Sequence, residues 1–113
     1  MPMEWAGAQN NVANCLAIIG TREKDTKKLF EAIDAYDSVL EHWRQDALPL
    51  NWAGTTMNLG LVYAEIWTEI GDVSNLKKAI NCVRAAREVY YQAGAAFYLE
   101  QSDAILARLE AKL

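Results

Sequence analysis

The chain has 113 residues and a mass of 12.7 kDa, which is the size of one domain that can bury its own core. Hydrophobic residues make up 52% of it and charged residues 23%, and this balance excludes disordered and fibrous proteins. The net charge of −4 and the scattered Lys and Arg residues argue against binding to nucleic acid or to an anionic membrane. Neither a signal peptide nor a membrane span is predicted, so we expect a cytoplasmic location.

The chain repeats itself at an offset of 47 residues. The segment Trp5–Gln45 aligns without a gap with the segment Trp52–Gln92, and about a third of the aligned pairs are identical. This match predicts two copies of one structural unit, at about residues 3–48 and 50–94, within a single domain spanning 1–113.

The first unit is predicted to be two helices joined by a polar turn. In its first helix the apolar residues that we expect to be buried are Trp5, Val12, Cys15, Leu16 and Ile19. Gly20 is placed like a C-cap, and Asp25 or Thr26 like the N-cap of a second helix whose apolar face starts at Leu29. We expect that helix to end near Asp46, before a link that contains proline.

The second unit has the same plan, with a turn at Gly71 and Asp72 and a helix end at Gly94. A further helix over about residues 96–113 has its apolar residues in the register of a first helix: Leu99, Leu106, Leu109 and Leu113. It lacks a second helix as a mate, so we expect it to act as a polar cap. The sequence therefore predicts an all-α fold with two antiparallel helical hairpins plus a C-terminal capping helix, five helices in all.

The pattern of small and large residues in these units resembles the tetratricopeptide repeat. Leu59, Gly60 and Tyr63 match the Leu-Gly-x-x-Tyr signature of that family's first helix, and Ala79 and Ala86 match the small positions of its second helix. The period of 47 residues instead of 34 is similar to a longer bacterial variety of the repeat. This resemblance implies a right-handed solenoid and a non-catalytic scaffold, whose first helices line a groove for a protein or peptide partner.

The groove implied by this resemblance would be lined by first-helix residues that lie outside the apolar stripe. The predicted partner-binding residues, with Ala104 as a further position, are Asn10, Asn14, Ile18, Met57, Leu61, Glu65 and Gln101. Asparagine offers a donor and an acceptor to a peptide backbone, whereas Met57 and Leu61 offer apolar contacts.

Some tetratricopeptide domains hold an acidic chain end in a carboxylate clamp. Asn14 and Asn58 align with the two asparagines of that clamp, but Asn10, Gln101 and Ile105 stand where it requires cations. Because cations offset the desolvation of a carboxylate, the resemblance does not extend to the clamp.

The sequence contains no pattern typical of an enzyme or of a cofactor site. The single histidine, His42, is predicted to be a solvated helix residue without a metal or general-base role. Cys15 and Cys82 are predicted to be buried structural thiols. We therefore expect no enzymatic activity, no cofactor and no metal.

Trp67 departs from the repeat, because its counterpart in the first unit is Gly20. With Ile70 it would form an exposed apolar patch for self-association, or the longer helix would tuck Trp67 under the adjacent turn. The alternative function is therefore a structural module that forms a weak homodimer through Trp67, Ile70 and the open solenoid face.

Overall fold

The structure is a computed structural model that describes residues 2–113, and the side chains from residue 4 onward. Five helices account for most of this range: α1 (Pro2–Glu23), α2 (Thr26–His42), α3 (Pro49–Ile70), α4 (Val73–Ala93) and α5 (Ala96–Glu110). The predicted all-α class with five helices is confirmed.

The helices pack as consecutive neighbours. α1 packs along α2, and α3 packs along α4. Because each connection is only two residues long, the two helices of each pair run antiparallel. α2 also packs on α3, and α5 packs on α4, whereas α1 and α3 approach each other only slightly. This small contact between α1 and α3 leaves an open groove between them.

Two apolar clusters form the core. The first joins α1, α2 and α3, and its buried members include Ala13, Leu29, Ile33, Tyr36, Leu59, Val62 and Ile66. The second joins α3, α4 and α5, and its buried members include Ala53, Met57, Leu76, Ala79, Ile80, Val83, Ala86 and Leu109. α3 contributes to both clusters, so it is the central helix of the fold.

Several predicted helix ends are confirmed. The Asp25 carboxylate accepts a hydrogen bond from the Lys28 backbone N–H at 3.3 Å, and Asp72 caps α4 in a similar way. Gly71 and Gly94 end α3 and α4 with φ of 74° and 67°, a left-handed conformation that glycine adopts without strain.

Two other helix ends were predicted wrongly. α1 continues past Gly20 to Glu23, since Gly20 is buried and a Cβ there would lie 2.9 Å from the Leu29 side chain. That glycine serves close helix packing and does not end the helix. α2 ends at His42 instead of near Asp46, because the backbone turns at the following residues, where Leu48 N–H donates to the Arg44 carbonyl at 2.8 Å.

The apolar stripe predicted for α1 is also wrong except at Leu16, which is partly buried against the first core cluster. The buried side of α1 consists of small residues, namely Ala6, Ala13 and Gly20, whereas four predicted core residues are exposed: Trp5, Val12, Cys15 and Ile19. Their counterparts in α3 include Leu59, Val62 and Ile66, which are buried against α2. Within residues 2–113 no helix covers the equivalent side of α1, so the same pattern is exposed there. Leu113 is exposed as well, because α5 ends at Glu110.

Candidate partner-binding groove

A groove of about 700 Å³ lies between α1, α3 and the end of α5. It is lined by the C-terminal halves of α1 and α3 and by the last residues of α5, with Tyr36 of α2 at its base. The three helices that line it all occupy the first-helix position of the sequence repeat. Because these helices recur at the same position of the 47-residue repeat, three segments that are distant in the chain form one continuous surface.

Hydrogen-bonding side chains form the base of the groove. The Tyr36 hydroxyl donates to Oδ1 of Asn14 at 2.5 Å, and Nδ2 of Asn58 donates to the same oxygen at 3.4 Å. Burial raises the pKa of Tyr36 to about 12, so its hydroxyl keeps the proton that it donates. Within residues 2–113 the Asn14 amide nitrogen and the Asn58 amide oxygen take part in neither of these hydrogen bonds. The NH2 group of Asn14 and the carbonyl oxygen of Asn58 thus remain as donor and acceptor for a ligand.

The walls of the groove are largely apolar. Ile18 of α1 and Leu61 of α3 are exposed on its two sides, and the Trp67 ring lies further along α3. Apolar side chains that stay in contact with water in a concave surface favour burial by another molecule. The groove can therefore accept an apolar side chain.

Three cations line the groove. Arg22 comes from the last turn of α1, and Arg108 and Lys112 come from the end of the chain. Glu65 is the one carboxylate that lines the groove. In the described part of the chain none of the three cations has a carboxylate within 4.0 Å. The groove is therefore locally positive although the chain carries a net charge of −4.

The structure brings four of the seven predicted groove residues together. Asn14 and Ile18 from α1, and Leu61 and Glu65 from α3, all line the groove. Asn10 lies outside it, where its side-chain oxygen accepts a hydrogen bond from the Thr55 hydroxyl at 3.3 Å.

Two further predicted positions lie elsewhere. Met57 is only 9% exposed and belongs to the second core cluster, because α4 packs along α3. Its placement in the groove was wrong. Gln101 is exposed on α5 but does not line the groove, and the same holds for Ala104.

The three cations and Tyr36 were not predicted as groove residues from the sequence. A signal for the cations was present, because the predicted positions continue at helical spacing from Ala104 to Arg108 and Lys112, and from Ile18 to Arg22. Tyr36 gave no comparable signal, since it belongs to the apolar face of α2 and reaches the groove only through the packing of α2 under α1 and α3.

Trp67 is half-buried and not an exposed patch. Its side chain packs against the second core cluster, and Nζ of Lys112 lies 5.5 Å from the centroid of its ring. Trp67 therefore forms neither the exposed patch nor a contact shown with the adjacent turn, because its side chain lies between the second core cluster and the groove. Ile70 is 52% exposed and lies outside the groove.

The remaining candidate residues are separate from the groove. His42 is exposed and meets the Trp5 ring edge-on, with ring centroids 4.8 Å apart. Cys15 is exposed, which contradicts the predicted buried thiol, and Cys82 is partly buried. No group of three His, Cys, Asp or Glu side chains arranged for a metal ion occurs in the part of the chain that the structure describes. No helix within residues 2–113 combines the length and apolar character of a membrane span.

Comparisons of the chain with protein-family models, with curated proteins and with solved structures find no match.

Proposed function

We propose that this protein is a non-catalytic interaction domain that binds a segment of another protein in the groove between α1, α3 and α5. The observation that carries the proposal is the composition of that groove, where free amide groups, apolar walls and three cations lie together. Amide groups suit a peptide backbone, and the apolar walls suit one of its side chains.

The charge at the groove points to the kind of segment. Arg22, Arg108 and Lys112 face one carboxylate, Glu65, so acidic side chains in the ligand are favoured and basic ones are not. The proposed ligand is a cytoplasmic protein segment with an apolar residue beside acidic residues. Its binding should weaken as salt screens these charges.

A tetratricopeptide-like solenoid is part of the same proposal. Two features support it: the helices pack in chain order as hairpins, and Gly60 allows α3 and α4 to approach closely. A right-handed stack of these hairpins would align the first helices side by side, as the groove requires.

A peptide-display selection followed by fluorescence anisotropy tests the proposal. Immobilised wild-type protein should enrich sequences with an apolar residue flanked by Asp or Glu, and their binding should be at least about tenfold weaker for Leu61→Glu. Ile70→Glu is the matched control, because Ile70 is an exposed apolar residue of the same helix outside the groove. No enrichment, or equal binding by wild type and Leu61→Glu, would refute the groove as the binding site.

The alternative of self-association through Trp67 and Ile70 has less support from these contacts. Trp67 is half-buried, so Ile70 remains as the exposed apolar residue of that pair. The Ile70→Glu variant also tests this alternative, since it would lower self-association if Ile70 lay in an interface.

A further inference from the structure

A line of exposed side chains runs along the outer side of α1. Its members, which we call the α1 seam, are Trp5, Ala8, Val12, Cys15, Ile19 and Arg22. They follow one another at alternating steps of three and four residues, which is the a/d spacing of a coiled coil. The seam extends over about 26 Å of helix.

The repeat shows what this side of a first helix normally contacts. Leu59, Val62 and Ile66 are the counterparts of Val12, Cys15 and Ile19, and they are buried against α2. The α1 seam therefore has the geometry of a helix-packing face, yet within residues 2–113 no helix lies on it.

We propose that a second copy of this chain covers the seam, with the two α1 helices packed antiparallel about a twofold axis. In the register that places Val12 opposite Cys15 of the second copy, Ala8 lies opposite Ile19 and Trp5 opposite Arg22. In each facing pair a smaller residue lies opposite a larger one, so the interface can pack without large voids or overlaps. The guanidinium of Arg22 lies over the face of an indole ring.

Charge complementarity supports the same register. Glu4 is in the first turn of α1 and Arg22 in the last, and both are exposed. In an antiparallel pair, Glu4 of each copy lies beside Arg22 of the other, whereas a parallel pair brings Glu4 to Glu4 and Arg22 to Arg22. The antiparallel arrangement therefore replaces two repulsive contacts with two attractive ones.

The seam and the groove lie on different sides of α1. Their mean directions differ by about 120° around the helix axis, and Arg22 is the one residue that belongs to both. Of the residues that line the groove, the dimer engages Arg22 alone, and the amide groups and apolar walls stay open, so this inference does not depend on the proposed function. Two helices of this length bury on the order of 1,000 Å², which is at the low end of specific interfaces, so we expect a weak dimer.

Sedimentation equilibrium between about 2 and 500 μM measures the association directly. The wild type should pass from the 12.7 kDa monomer to twice that mass, and Val12→Glu should weaken dimerisation at least tenfold. Ile70→Glu is the matched control, because Val12 and Ile70 are both exposed apolar side chains, at 47% and 52%. It should dimerise like the wild type, because Ile70 lies outside the α1 seam. Circular dichroism confirms that both variants fold.

Cross-linking tests the register. Diamide should join two copies of Val12→Cys through a disulfide between the new thiol and Cys15 of the second copy, and Cys15→Ser in that background should abolish the product. In a parallel pair, Cys15 would face its own counterpart and the wild type would cross-link most readily.

Three outcomes would overturn the proposal. The first is a wild type that remains monomeric at the highest concentration. The second is a dimer that Val12→Glu leaves intact or that Ile70→Glu disrupts, because the interface would then lie elsewhere. The third is cross-linking of the wild type through Cys15 in preference to the Val12→Cys variant, which would refute the antiparallel register.

Discussion

The Tyr36 hydroxyl lies 2.5 Å from Oδ1 of Asn14 and donates a hydrogen bond to it, which joins α2 to α1 at the base of the groove. The Tyr36 side chain is otherwise packed in the first core cluster. The hydrogen bond therefore ties a residue of the groove surface to the interior of the domain.

Removal of that hydroxyl should be measurable. We expect Tyr36→Phe to lower the free energy of unfolding by about 1 kcal/mol, because Asn14 loses its shortest hydrogen bond while the ring stays packed. Urea denaturation followed by circular dichroism gives the value. Tyr91→Phe is the control, since Tyr91 is 62% exposed and should change stability little. Equal effects of the two changes would contradict a structural role for the Tyr36 hydroxyl.

Gly60 should be intolerant of even one added carbon. A Cβ at this position would lie 2.9 Å from Cβ of Cys82 and 3.2 Å from the Ala79 carbonyl oxygen, so α3 and α4 would have to move apart. We expect Gly60→Ala to destabilise the protein by about 1–3 kcal/mol.

Gly7→Ala provides the matched comparison for Gly60. Gly7 lies inside α1 with nothing within 4 Å of an added Cβ, so alanine there should stabilise by about 0.5–1 kcal/mol. Thermal unfolding of both variants tests the pair. The close approach of α3 and α4 would be refuted if the two substitutions had the same sign.

The two cysteines should differ in reactivity. Cys15 is exposed, whereas burial, with a smaller contribution from Asp37, raises the pKa of Cys82 to about 11. Because the thiolate is the reactive form, DTNB at pH 8 should modify Cys15 at least about tenfold faster than Cys82.

Labelling at low micromolar protein concentration checks this difference. The Cys15→Ser variant should retain only the slow phase. A fast phase that persists in Cys15→Ser would show that Cys82 is more accessible than its packing indicates.

Asp37 should make stability depend on pH. Burial raises the pKa of its carboxyl group, and the nearby Asp34 and Glu41 carboxylates add to the shift. The folded state therefore holds this proton more tightly than the unfolded chain. Protonated Asp37 thus adds to the free energy of unfolding at low pH, and this stabilisation is lost as pH rises through the pKa of the folded state.

Asp37→Asn should remove the destabilisation that ionised Asp37 causes, because asparagine carries no charge. At pH 7 the variant should be more stable than the wild type, by less than about 1 kcal/mol because the group is partly in water, and near pH 3 the gain should vanish. Asp46→Asn, in the exposed link after α2, is the control. Urea denaturation at both pH values gives the comparison, and a gain at pH 3 as large as that at pH 7 would rule out the charge of Asp37 as its cause.

The features that the sequence predicted well depend on neighbouring residues in the chain. Asp72, Gly71 and Gly94 mark helix ends through capping and backbone conformation, which short segments determine by themselves. The apolar spacing of each helix likewise predicted five helices, because periodicity is set within one helix.

The errors concern residues whose environment depends on distant helices. Val12 and Ile19 have the spacing of core residues, and they are exposed because no described helix packs on that side of α1. Met57 occupies a first-helix position like that of Asn10, but it is buried in the second core cluster. A sequence repeat predicts which residues are equivalent in the two copies, whereas the burial of each residue depends on which helices pack against its copy.

The position of the groove around α1 has a consequence for avidity. A dimer joined along the outer side of α1 carries two open grooves that belong to one particle. A partner with two suitable segments, or a partner that is itself multivalent, could then be held at both grooves, and its second attachment would be intramolecular. Effective concentrations for such attachments can raise overall avidity by about 10²–10⁴ without any new contact. Weak recognition in each groove would then suffice for a long-lived complex.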